Sequence, residues 1–340
     1  MKKINITELL GDGIGPELRE TVHAVADILP LDFNFIPHDL SLENREREDR
    51  GLFERVVESM RETRLALKYP TITRTSSPNA IIRRMCNFSV ILRPVISIKG
   101  IKTHFTEEVF LYIVRIATGG TYDDPGRMIG RDAAISIRIV ERDPCRQAAR
   151  FAFEFARKKG LKVTSSSKHT IQRATDGLFQ TVASEVHGNY PDIPHNVELF
   201  DALLAKIILH PEDYEVVLVL NEYGDFLSDM ASGLIGSIGT GASGNYSFTD
   251  DDRIDIAMFD PAGGTAPDIA GQNKCNPTAI LLAFGMLLDH IDRYDLGHEL
   301  RLAILACIAE GQCTADIGGR LGMREFTRAV IERLQDSLRS

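Results

Sequence analysis

The sequence is short of cysteine, with five in 340 residues, and their spacing excludes the common cysteine frameworks. Cys86, Cys145, Cys275, Cys307 and Cys313 are scattered, odd in number and free of any CxxC pair, so neither a disulfide scaffold nor a zinc site is expected. Reduced thiols in a cytosol-like compartment are the simplest reading. A basic excess is lacking too: 39 Lys and Arg stand against 48 Asp and Glu, a formal charge of −9. That balance disfavours nonspecific binding to nucleic acid or to an anionic membrane, while leaving room for a local basic pocket. No apolar run approaches the ~18 residues that a membrane span needs. Met1-Lys2-Lys3-Ile4-Asn5-Ile6 reaches Gly11-Asp12-Gly13 before any long apolar stretch, which is not a secretory signal pattern. Repeats, low-complexity tracts and Pro/Ser-rich linkers are missing, so domains are expected to share the chain discontinuously.

The residues that are present describe an ordinary globular protein. Hydrophobic residues make up 44% and charged ones 26%, enough for a sizeable core in one large domain or two. Residues 4–10 read as a strand ending at Gly11-Asp12-Gly13-Ile14-Gly15-Pro16-Glu17. Pro16 suits a first helical turn, and residues 18–29 continue at helical spacing. A glycine turn of this kind is weak evidence for a nucleotide, because a tight strand-to-helix turn needs glycine for steric reasons alone. Residues 88–92 and 215–220 read as buried strands. Residues 146–159 read as an amphipathic helix closed by Gly160, and residues 279–290 and 300–309 as further helices. The alternation predicts an α/β architecture with a largely parallel sheet. Residues 43–50 (ENREREDR) read as a solvated helix face or loop.

One stretch carries chemistry. Asp225 and Asp229 are four residues apart, which puts them on one face of a helix. Two adjacent carboxylates repel, so a site holding both generally holds a cation as well. Hard oxygen donors with no neighbouring Cys or His suit Mg²⁺ or Mn²⁺. On its own such a pair is more often a solvated helix face.

Its surroundings decide otherwise. Residues 221–229 (NEYGDFLSD), followed by Gly233-Leu234-Ile235-Gly236, closely resemble the signature of the isocitrate/isopropylmalate dehydrogenase family of metal-dependent β-decarboxylating dehydrogenases. Gly11 to Glu17 looks like the start of these chains. Leu92-Arg93-Pro94 matches the LRP element, and residues 115–122 (RIATGGTY) match the R-E-N-T-E-G-x-Y segment. Residues 168–179 (KHTIQRATDGLF) resemble K-A-N-x-x-K-x-T-D-G-L-F. Residues 264–271 (GTAPDIAG), with Asn276-Pro277, resemble the cofactor loop. Six elements in family order are not chance.

The resemblance implies that family's α/β fold, not a Rossmann fold. A large domain from residues 1–88 and 243–340 would carry the cofactor loop. A smaller one from 89–242 would carry the metal site, with a clasp at about 120–163 joining two subunits. Asp201, Asp225 and Asp229 match the metal carboxylates, Lys168 the proton-abstracting lysine and Tyr122 the tyrosine that reprotonates the enol carbon. Both catalytic groups need pKa values near the working pH, which a metal and neighbouring cations can supply. Arg83, Arg93 and Arg115 match the arginines that hold substrate carboxylates, a role for which a guanidinium's bidentate geometry is suited. Lys168 and Asp201 would reach into the partner's site, making a homodimer with shared active sites the minimal active unit. Ser77 and Asn79, in the S-x-N-x-x-x-R of isocitrate enzymes, would hydrogen-bond a polar substituent where isopropylmalate enzymes are apolar. Gly264, Thr265, Ala266, Asp268, Ile269 and Asn276 would form the cofactor site. Asp268 stands where NADP enzymes often carry Lys, so NAD is favoured, since a carboxylate accepts from ribose hydroxyls and repels a 2′-phosphate.

The expected activity is oxidative decarboxylation of an isocitrate-like small-molecule 2-hydroxy polycarboxylate with hydride transfer to NAD. The alternatives are a specialised enzyme for a homoisocitrate, isopropylmalate, malate or phosphonate analogue, and a noncatalytic regulatory subunit. The expected location is cytoplasmic, or the mitochondrial matrix if a transit peptide is missing from the sequence. The pattern is broken at Gly263, where the family has histidine, and at Asp260, where glutamate is usual. Thr170 replaces asparagine, and Ile116, Ala117 and Gly119 replace E, N and E.

Overall fold

The computed structural model describes residues 3–47, 51–74, 76–105, 108–236 and 240–339. Met1, Lys2 and residues 48–50 of the charged segment therefore lie outside the described residues.

In chain order the strands are β1 (Lys3–Leu10), β2 (Asp32–Asp39), β3 (Leu65–Lys68), β4 (Phe88–Ile96), β5 (Phe110–Ile116), β6 (Arg127–Ile129), β7 (Ala133–Ile135), β8 (Val163–Ser167), β9 (His195–Leu199), β10 (Val216–Val219), β11 (Ala242–Phe248) and β12 (Ile254–Pro261). The helices are α1 (Gly15–Ala26), α2 (Leu42–Arg47), α3 (Leu52–Thr63), α4 (Pro78–Met85), α5 (Arg142–Lys159), α6 (Thr175–His187), α7 (Phe200–Leu209), α8 (Asn221–Leu234), α9 (Thr278–His290), α10 (Tyr294–Ala309) and α11 (Met323–Arg339). All strands but β6 and β7 join one sheet in the order β2-β1-β3-β12-β11-β4-β5-β10-β8-β9. The sheet is parallel on both flanks and antiparallel in the middle, where β12, β11, β4 and β5 are neighbours. The expected parallel sheet is thus interrupted by a hairpin. β11 turns directly into β12 with Asp252 at φ 60°, and a connection that short can only return antiparallel.

Side-chain alternation divides the interior. On one face a single large core runs the length of the sheet under α1, α5, α6, α9, α10 and α11. On the other face there are two smaller cores. One gathers Val56, Met60, Ile82 and Ile91 beneath α3 and α4; the other gathers Val95, Ile113, Leu203 and Leu227 beneath α7 and α8. Two strands pass from one small core to the other. On β4 the residues facing this side are Ile91, Arg93 and Val95. On β5 they are Leu111, Ile113 and Arg115, with Ala117 just beyond. A period of two therefore stands Arg93 and Arg115 in the gap between two apolar clusters. That gap is the site.

The expected helices form. Pro16 lies in the first turn of α1, and Gly160 closes α5 at φ 69°. The charged segment begins as the short helix α2, which buries nothing. The region 120–163 splits in two. The β6–β7 hairpin is exposed throughout, whereas α5 buries Ala148, Ala149, Ala152, Phe153 and Ala156 in the large core. All five cysteines are free and buried, Cys86 in one small core and the other four in the large one.

Candidate active site

α8 leaves the end of β10 and brings its first two turns against the arginines. Arg115 is 3% exposed and is held at every nitrogen. Its Nε and Nη2 donate to Asn221 Oδ1 at 3.0 and 2.8 Å, and its Nη1 donates to Asp225. Gly224 is what lets the helix come so close: a Cβ there would lie 2.6 Å from both Cβ and Cγ of Arg115. Arg93 Nη1 donates to Ser228 Oγ at 2.6 Å and lies 3.4 Å from Asp225 Oδ1 and from Asp229 Oδ1. The two carboxylates thus converge on one atom, as their four-residue spacing requires. Tyr122 Oη donates to Asp225 Oδ2 at 3.1 Å, from a ring 47% exposed to solvent.

These contacts set the charge states. Burial alone would raise the Asp225 carboxyl, but the guanidiniums of Arg115 and Arg93 and the Tyr122 hydrogen bond outweigh it and hold it below the usual carboxylate range. Burial, reinforced by Arg93, pushes Arg115 down to about 10. Partial burial and the facing Asp225 charge raise the Tyr122 phenol, so the group keeps its proton at neutral pH.

α4 forms the adjoining wall. Ser77 is its N-cap, with Oγ accepting from Ala80 N at 3.4 Å. The hydroxyl is therefore already engaged in holding the helix. Asn79 and Arg83, four residues apart, share a face. Asn79 Oδ1 is buried and has no hydrogen-bond partner among the described residues, a costly state for an amide oxygen unless a ligand completes it. Arg83 Nε donates to Asn245 Oδ1 at 3.2 Å, and Asn245 Nδ2 donates to Asp260 Oδ1 at 3.0 Å. Beside them Lys68 is 2% exposed, donating to Tyr69 O and Thr71 Oγ1 at 2.9 and 3.1 Å. Burial brings its ammonium down to about 8, against the opposing pull of Asp260.

Lys168 and Asp201 are brought together, but as a separate pair. Lys168 Nζ donates to Asp201 Oδ1 at 2.6 Å, a contact that lowers the exposed carboxyl. Asp201 does not join Asp225 and Asp229: among the described residues no cluster of three or more His, Cys, Asp and Glu is arranged to hold a metal. Within one chain the three expected ligands are therefore divided two and one. The donor set of α8 still fits a hard divalent ion, since both carboxylates face one point and Asp229 is 70% exposed.

The loop expected to hold the cofactor docks on the N-terminal turn. Ile14 N donates to Thr265 O at 2.9 Å, and a Cβ on Gly13 would lie 1.9 Å from that oxygen. Here the glycine serves loop packing, as the steric reading of the turn anticipates. Glu17, buried, accepts from Gly271 N and Asn273 N at 2.7 and 2.8 Å, fixing the far end of the loop. Gly263 and Gly264 have open space on the side a Cβ would occupy, Ala266 is held at φ 37°, and Asp268 is exposed. Ile269 is half-buried, and Asn276 donates to Asp316 Oδ2 at 2.9 Å while accepting from Thr278 N at 3.0 Å. An open backbone edge with a carboxylate turned outward fits a dinucleotide with free ribose hydroxyls.

Asn221, Ser228, Lys68 and Glu17 had no role assigned from sequence. The first two lie inside the NEYGDFLSD stretch and could have been read from the helical spacing that put Asp225 and Asp229 together. Glu17 ends the N-terminal motif, but its partners lie some 250 residues away and leave no local signal.

A family model described as isocitrate/isopropylmalate dehydrogenase matches residues 5–333. Subunit 2 of the mitochondrial NAD isocitrate dehydrogenase of Kluyveromyces lactis is 36% identical, over 98% of this chain and 91% of its own. A regulatory component of the mitochondrial NAD isocitrate dehydrogenase of Dictyostelium discoideum is 33% identical, over 98% and 92%. The crystal structure of isocitrate dehydrogenase from Methylococcus capsulatus superposes with a TM-score of 0.89 at 31% identity, covering 97% of this chain and 99% of that one.

Proposed function

Because the chain belongs to the isocitrate/isopropylmalate dehydrogenase family, we propose that it oxidatively decarboxylates an isocitrate-like 2-hydroxy acid with NAD as hydride acceptor. One observation carries the reading. Asp225 and Asp229 face Arg93, Arg115 and Tyr122 in the gap between the two small cores, with Arg83 nearby. Three buried or half-buried guanidiniums match a substrate with three carboxylates, and Asn79 Oδ1 offers an unfilled acceptor beside Arg83.

A divalent cation on Asp225, Asp229 and Asp201 of a second copy would supply Lewis-acid polarisation of the substrate oxygens, and NAD would take the hydride. The chain's own groups do the rest. Arg83, Arg93 and Arg115 bind and orient the carboxylates, Arg93 and Arg115 turning from the α8 carboxylates and Arg83 from the Asn245 amide as substrate arrives. Lys168 Nζ of the second copy accepts the hydroxyl proton. Once CO₂ departs, Tyr122 Oη, which keeps its proton at neutral pH, delivers it to the carbon that carried the lost carboxylate. Asp268 favours NAD over NADP.

Two sites of this kind need two chains. Met128, Ile129 and Ile135 of the exposed hairpin, Leu209 of α7 and Phe226 of α8 are solvent-facing apolar side chains suited to a homodimer contact. We place the clasp at that hairpin and keep the two-domain division at residues 88–89 and 242–243. No described helix is long and apolar enough to cross a membrane. The location we propose is cytoplasmic, or the mitochondrial matrix, since the Kluyveromyces and Dictyostelium relatives are named as mitochondrial.

The replacements at 116, 117, 119 and 263, together with the regulatory Dictyostelium relative, make a noncatalytic role the second reading. The purified chain, assayed with NAD⁺, Mg²⁺ and a panel of 2-hydroxy acids including isocitrate, homoisocitrate and 3-isopropylmalate, decides between them. NADH formation with isocitrate supports the enzyme; no NADH from any acid supports the regulatory role. A better rate with another acid reassigns the substrate.

A further inference from the structure

Arg138 belongs to none of the sequence motifs and lies just beyond the exposed hairpin, yet its guanidinium is tied into the body of the protein. Its side chain is 14% exposed. Nη2 donates to Asp176 Oδ1 at 3.0 Å, Nη1 donates to Glu222, and the guanidinium lies 5.0 Å from the centre of the Tyr223 ring. Both carboxylates are buried, Asp176 completely and Glu222 to 4% exposure. Each of them holds a different backbone segment. Asp176 Oδ2 accepts from Lys168 N at 2.7 Å, and also from Tyr223 Oη at 3.1 Å. Glu222 Oε1 accepts from Thr121 N and Thr121 Oγ1 at 3.2 and 3.3 Å, one residue before Tyr122.

A single guanidinium therefore stands between the backbone that carries the base and the backbone that carries the acid. Buried charge-assisted pairs of this kind are short, directional and resistant to exchange with water, and breaking one leaves an uncompensated charge. The two segments serve different sites if, as proposed above, Tyr122 works in its own cleft and Lys168 in that of the second copy. We propose that Arg138 is a positioning residue that sets Tyr122 of one active site and Lys168 of the other from one rigid junction, so that the two sites of the dimer are aligned through each chain. This rests on the shared-site reading.

The test uses full-length dimers assembled from two inactive chains, Lys168→Ala and Tyr122→Phe. In the mixed dimer one site has both residues and the other has neither, so random assembly restores about a quarter of wild-type activity. Arg138→Met is then placed on one chain at a time. On the Lys168→Ala chain it disturbs only the Tyr122 side of the intact site, and on the Tyr122→Phe chain only the Lys168 side. A roughly tenfold fall in kcat in both arrangements, with KM for NAD unchanged, is expected, because small misplacements of reacting groups cost rate at this scale. Arg138→Lys, which keeps the charge but cannot fork between two carboxylates, is expected to fall in both arrangements as well. It is the variant to use should Arg138→Met fail to fold. A fall in only one arrangement, or in neither, overturns the two-ended role. No activity from the parent mixture overturns the shared-site reading itself, and this inference with it.

Discussion

Gly263 is the residue at which this chain departs most simply from its family, since a histidine is usual there. Nothing in the packing demands the glycine: the space beside it is open, and its φ is not among the positive ones. Gly263→His should therefore be tolerated and, if the loop holds NAD as proposed above, place an imidazole where it can stack on the adenine. KM for NAD is expected to fall roughly two- to tenfold, the worth of one aromatic contact, with Tm unchanged. A KM that does not move would show that the loop does not face the adenine. His195 gives a second, independent expectation. Burial, with a smaller push from His187, brings its pKa down to about 4, while its Nε2 shares a 2.8 Å hydrogen bond with Ser165 Oγ. A folded-state pKa below the unfolded value of about 6.5 means the unfolded chain takes the proton first. This contribution is whole above about pH 6.5 and is lost as pH falls towards 4. Denaturation midpoints measured across that window should drop less steeply for His195→Gln than for wild type; parallel curves would remove His195 from the acid response. At this scale the motif residues were legible through their likeness to the family's motifs, and spacing alone reached only the pairing of Asp225 with Asp229. Arg138 was not, because its partners lie 38 and 84 residues away along the chain.

Elements were legible where periodicity was strong and less so where a contact across the sheet decides. Helices α1, α5, α9 and α10 follow from apolar spacing and end signals, and differ from the sequence reading only at their termini. The antiparallel centre of the sheet was not readable from strand patterns, because buried strands look alike in either direction. α8 shows how closely an element can be fitted to its neighbour. Gly224 lies in the first turn of α8, already within its hydrogen-bonded run, where alanine would ordinarily gain up to about 1 kcal/mol. The Arg115 side chain reverses that sign. Gly224→Ala would force α8 and β5 apart, an overpacking cost of about 1–3 kcal/mol. The expected result is a Tm lower by several degrees together with a fall in kcat, as Arg115 and Asp225 separate. A variant with wild-type Tm and rate would mean that the arginine is free to move aside.

For the molecule as a whole, family motifs made the fold legible from residue 11 to 277, but not why the site lies where it does. That follows from the sheet having one continuous core on one face and two on the other, which leaves polar side chains a place between them. The same division has a use. Every thiol in the chain is shielded, four in the long core and Cys86 alone under α3 and α4, and burial raises each of them, Cys86 to about 11 and Cys145 to about 12. A disulfide reagent at neutral pH should find almost no thiolate until the chain opens, so labelling becomes a clock for unfolding. Mass spectrometry of partly labelled protein should show whether Cys86 reacts ahead of the other four. If it does, the layer over α3 and α4 breathes independently; if all five appear together, the two sides of the sheet come apart as one event.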